Sequence, residues 1–62
     1  MITVYFKYRI KTGEMKTGEQ YFNSVFTAIK FIKYVIPKSK DKIYLGYSCD
    51  DEIEHEYMMK KL

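Results

Sequence analysis

From residue 2 to residue 11 the chain alternates without a break. Ile2, Val4, Phe6, Tyr8 and Ile10 fall on one side, and Thr3, Tyr5, Lys7, Arg9 and Lys11 on the other. A period of two predicts a strand with one buried and one wet face. The period changes over residues 24–36, SVFTAIKFIKYVI. At 100° per residue Val25, Ala28, Ile29, Ile32, Val35 and Ile36 collect within about 120°, the width of a core-facing helical stripe, with Phe31 at its margin. Ser24 is a suitable N-cap, and Pro37 is expected to stop the helix at Ile36. This is the one segment long and apolar enough to be a central helix.

The remaining elements are arranged around it. Residues 12–19, TGEMKTGE, hold two Thr-Gly pairs and read as a turn leading to a return strand over residues 20–23. After a charged connector at 38–42, Ile43, Leu45, Tyr47 and Cys49 alternate with Tyr44, Gly46 and Ser48. This predicts a second strand with Cys49 facing inward. Residues 50–62, DDEIEHEYMMKKL, admit two readings. Asp50 as a cap, early acids, late lysines and a Glu56–Lys60 pair favour a helix; Ile53, His55, Tyr57 and Met59 alternating with Glu52, Glu54 and Glu56 suit a strand. Propensity favours the helix. The expected architecture is α+β: one domain over 1–62, a small antiparallel sheet with the central helix on one face and a short C-terminal helix or strand.

Size and charge sharpen this picture. Sixty-two residues support one small core at best. No long apolar run or secretory leader is legible, so the expected compartment is the cytoplasm, and a single cysteine allows no internal disulfide. The net charge of +3 conceals a bipolar chain. Residues 1–42 hold nine Lys/Arg against three acids, and residues 43–62 hold two Lys against five acids. The simplest expectation is mutual neutralisation, within the fold or across a dimer.

Little in the inventory carries chemistry. Cys49, Asp51 and His55 are a sparse set of metal donors without a second His or a paired CxxC, and no phosphate-binding glycine loop or HExxH occurs. No catalytic, metal or cofactor site is expected. Two surfaces fit binding better. Phe26, Lys30 and Tyr34, at i, i+4 and i+8, line the outer helix face and suit a protein partner or a second copy. Tyr5, Lys7, Arg9 and Lys11 on the wet strand face, joined by Lys42 and Tyr44 if the third strand lies alongside, suit single-stranded nucleic acid. The acidic run 50–56 offers a third charged surface, which a solvated helix start explains as well.

The Val-Tyr-Phe-Lys-Tyr strand, the Ser-capped Thr-Ala-Ile-Lys-Phe helix and the Gly-Tyr-Ser-Cys-Asp-Asp lead into an acidic tail resemble small uncharacterised proteins of Gram-positive bacteria and their phages or mobile elements. That resemblance implies no activity and assigns no functional residue. The expected role is a non-enzymatic interaction module acting on a protein partner or on itself, with single-stranded nucleic-acid binding as the alternative.

Overall fold

The computed structural model describes residues 1–62 as a three-stranded antiparallel sheet with two helices against one face. Strand β1 is Ile2–Arg9, β2 Met15–Phe22 and β3 Lys42–Cys49; their order is β2-β1-β3, so the strongest sequence strand is the central one. The first helix, α1, runs through three consecutive pieces: α-helical Val25–Lys30, a π-helical turn Phe31–Val35 and a last α turn Ile36–Lys38. The second helix, α2, is Glu52–Lys61. The chain is α+β, and its tail is a helix.

The core lies between sheet and helices. Ile2, Val4 and Phe6 of β1 meet Ala28, Ile32 and Ile36 of α1, and Met58 of α2 closes the end; these seven are the buried residues. Phe31 bridges Phe6 and Phe22 with ring centroids at 5.5 and 5.2 Å. Such tilted and edge-on aromatic pairs contribute beyond their buried area. Ser24 Oγ accepts from the Phe26 amide and caps α1 as expected.

Four expectations need correction. The return strand begins at Met15 rather than at 20, and all eight of its residues pair with β1, from Ile2 opposite Phe22 to Arg9 opposite Met15. Its turn is short: Gly13 donates to Ile10 O, Ile10 donates to Glu14 O, and Gly13 sits at φ 90°. A tight turn followed by a left-handed glycine is the usual three-residue hairpin loop. Residues 15–19 lack alternation because β2 is an edge strand, mostly wet on both faces.

Pro37 does not end α1. The helix passes through it because the preceding turn widens: the Ile36 amide bonds to Phe31 O, five residues back. A proline lacks the amide for the regular ladder and presses on the carbonyl four residues earlier, here Lys33; a π turn absorbs both faults. The wide turn holds about one extra residue, so the positions beyond it are set back by up to about 100°. Ile36 stays buried, but Val35, expected in the core stripe, is left 47% exposed.

The third correction is in β3. Its register with β1 shifts between Tyr5 and Phe6: Tyr5 faces Gly46 while Phe6 faces Tyr44, leaving Leu45 as a bulge. One extra residue inverts the alternation on one side of it. Tyr47 and Cys49 face the helices as expected; Ile43 faces away from them. Finally, the cap of α2 is Asp51, whose carboxylate accepts from the Glu54 amide, and not Asp50.

Candidate interaction surfaces

The outer face of α1 keeps its three expected residues in solvent. Phe26 is 65% exposed and Tyr34 58%, with Lys30 between them also exposed. Position alone accounts for this, since the opposite side of α1 is filled by the sheet. Phe26 also reaches α2. Its ring meets Tyr57 edge-on at 5.6 Å, and Lys61 Nζ lies 5.6 Å from the Tyr57 ring centroid. An aromatic, aromatic and cation series therefore spans the two helices. Ile53, 80% exposed, and Met59 add apolar area on α2, and Val35 adds it on α1. Sequence reasoning missed Val35 because the π turn was not anticipated. Ile53 and Met59 were hidden by the weak apolar period of the tail.

The other side of the sheet carries no helix. Directly opposed residues share a face, so the register assigns its rows: Tyr21, Thr3 and Ser48; Glu19, Tyr5 and Gly46; Thr17, Lys7 and Ile43; then Met15 and Arg9. Tyr5, Lys7 and Arg9 are thus brought together as expected. Lys11 is not among them, because it lies in the turn beyond β1. Lys42 and Tyr44 belong to the helix side, opposite Tyr8 and Phe6, because the bulge at Leu45 turns that half of β3 over. Partial burial there raises the Tyr44 phenol pKa above its usual value. An acid also stands within the open face: Glu19 is beside Tyr5, and its Oε2 accepts from Tyr21 Oη at 2.7 Å. That bond raises the Tyr21 phenol pKa, since it favours the protonated ring. Tyr5 Oη is paired with Ser48 Oγ at 3.1 Å.

The donors Cys49, Asp51 and His55 do not converge. Asp51 is the cap of α2, and His55 Nδ1 lies 3.2 Å from Tyr47 Oη. A different trio does: Cys49, Asp50 and Glu54 place one donor atom each within 4.8 Å of the others. The chain's own cation serves that cluster, with the Met1 ammonium 2.9 Å from Asp50 Oδ1 and 3.9 Å from Glu54 Oε1. The hydrogen bond to Asp50 raises the ammonium pKa and lowers that of the Asp50 carboxyl. A shallow open cleft beside it is lined by Met1, Thr3, Ser48, Cys49 and Asp50.

These two contacts are the only ion pairs within 4.0 Å. No Lys or Arg side chain closes on an acid, so the bipolar charge read from the sequence is not neutralised by ion pairs inside the fold. No helix is long and apolar enough to cross a membrane. Comparison with protein-family models, with curated proteins and with solved structures finds no match to this chain.

Proposed function

We propose that this chain is a non-enzymatic interaction module whose helical face docks on a protein partner. The observation that carries the reading is the imbalance of apolar surface. Seven residues are buried, whereas eleven large hydrophobic side chains stand exposed. Isolated exposed residues are ordinary, but a cluster is characteristic of contact surfaces. Phe26, Tyr34 and Val35 on α1 and Ile53 and Met59 on α2 place five of the eleven on the two helices, and the half-buried Tyr57 ring joins Phe26 to α2. Lys30 and Lys61 supply a polar rim, the usual surround of an apolar contact.

The test is capture by the immobilised chain. Wild type is expected to retain a partner that Phe26→Ala or Tyr34→Ala releases at lower salt and shorter wash. A wild type that retains no more than these variants contradicts the reading. Nucleic-acid binding is the weaker alternative, since the two cations of the open sheet face, Lys7 and Arg9, share it with Glu19, which stands beside Tyr5 and holds the hydroxyl of Tyr21, the other ring there. A mobility shift of single-stranded DNA or RNA at about 50 mM salt, abolished by charge reversal at Lys7, Arg9 and Lys11, would favour that alternative instead.

A further inference from the structure

The two edges of the sheet are unlike. β3 is broken by the bulge at Leu45 and packs against the end of α1 and against α2. β2 is eight residues long, pairs with β1 without a register shift, and contains no proline. Long regular edges invite further pairing, and bulges or covering elements prevent it.

The phase of the hydrogen bonds identifies what the free edge offers. Ile10 donates to Glu14 O at 2.9 Å and Arg9 donates to Asp41 O at 2.9 Å, so even positions of β1 bond toward β2 and odd positions toward β3. On β2 the positions opposite those even residues are Lys16, Gly18, Gln20 and Phe22. The amides and carbonyls of Met15, Thr17, Glu19 and Tyr21 therefore point off the sheet.

We propose that β2 pairs antiparallel with β2 of a second copy, about a two-fold axis at Gly18, joining two sheets into one of six strands. The proposal shares the reading of the chain as an interaction module but uses a different surface. In this register Met15 faces Tyr21 of the second copy, and Thr17 faces Glu19. Every outward amide and carbonyl of the four odd residues then finds a partner. On the helix side Lys16 faces Gln20, and the two Gly18 residues face each other as a non-hydrogen-bonded pair. Such pairs bring Cα atoms to about 4.5 Å, where a residue without a side chain fits best. Gly18 already lacks room for one, since a Cβ there meets the Phe6 and Tyr8 rings at 3.1 Å. Charge selects among the alternatives. Centring on Lys16 or Glu19 sets like charges face to face, centring on Thr17 leaves Tyr21 opposite the turn, and centring on Gln20 leaves Met15, Lys16 and Thr17 opposite residues beyond the end of β2; directly opposed like charges destabilise a sheet. Two-fold dimers joined through the same surface on each copy are the commonest homo-oligomers, and strand addition at an exposed sheet edge is a recurring mode of recognition.

Sedimentation equilibrium of the full chain, with amide hydrogen exchange at high and low concentration, tests this. The expected mass rises from 7.5 kDa to twice that value. The amides of Met15, Thr17, Glu19 and Tyr21 slow on association and become fast on dilution, while those of Lys16, Gly18 and Gln20 stay slow throughout. Thr17→Pro removes only an outward amide and is expected to abolish the dimer with the far-UV spectrum unchanged; should that variant unfold, the odd-even exchange pattern of the wild type decides. A monomer at every concentration overturns the proposal, as does a dimer whose odd amides exchange fast. Association lost in Phe26→Ala but kept in Thr17→Pro also overturns it, and assigns self-contact to the helical face. A wild type that forms the dimer but retains no more partner than Phe26→Ala counts against the helical-face reading alone.

Discussion

Gly13 and Met58 mark two kinds of single position on which this fold depends. Gly13 holds φ 90° with open space where a side chain would go, so Gly13→Ala meets a backbone cost and nothing else. A left-handed non-glycine residue costs about 1 to 2 kcal/mol; denaturant unfolding should show that loss with an unchanged slope. Met58 is fully buried between α2 and the sheet, and Met58→Ala should cost about 3 kcal/mol, as truncations in a close-packed core do. Gly13 was legible in the sequence as a turn residue. Met58 was not, because it stands next to exposed Met59 in a tail with no clear apolar stripe. At the terminus, the Asp50 carboxyl is held below its ordinary pKa and the Met1 ammonium above its own. The carboxylate's contribution is complete above the ordinary Asp value and fades as pH falls through the lowered one. The ammonium's is complete below the ordinary amine value and fades as pH rises through the raised one. Stability should therefore plateau between these limits, and Asp50→Asn should flatten both flanks of a pH-dependent melting profile.

Among the elements, those with an unbroken period were read correctly, and those with a defect were read only in part. β1 and the start of α1 satisfy period, cap and propensity together. β2 has no apolar period and a mixed propensity, with Thr17, Tyr21 and Phe22 against Lys16, Gly18 and Glu19, and is held in place by the amides and carbonyls of β1 and by the turn at Gly13. The bulge at Leu45 left no sequence mark beyond Gly46, and it is what divides the expected Tyr/Lys/Arg platform into two faces. The π turn is the other defect, and its cause is Pro37. Pro37→Ala restores the missing amide and is expected to draw residues 31–38 into the regular ladder, turning Val35 toward the sheet. New contacts between the Val35 methyls and sheet side chains in a nuclear Overhauser experiment would show this. Val35 methyls that keep their solvent exposure would mean that the wide turn has a cause other than proline.

At the scale of the whole molecule, a chain of this length builds a thin core. One face of the sheet is covered by two helices and the other by nothing, and large apolar side chains remain on both sides. That surplus was legible in the sequence as more apolar residues than one helix can shelter. Its composition was legible only in part: Phe26 and Tyr34 stand where the helical period puts them, whereas Val35 and Ile43 change sides through the π turn and the bulge. The charge separation has the same character: present in the sequence, unresolved by ion pairs in the fold, and available to a second molecule. The central claim is that the uncovered apolar side chains meet another macromolecule. A soluble paramagnetic probe, applied to the chain across a dilution series and with captured partner added, reads their accessibility directly. Strong broadening of Phe26, Tyr34, Ile43 and Ile53 in the dilute chain is predicted, with Phe26, Tyr34 and Ile53 becoming shielded when partner is added. Side chains already shielded in the dilute chain, or equally open with and without partner, would contradict it.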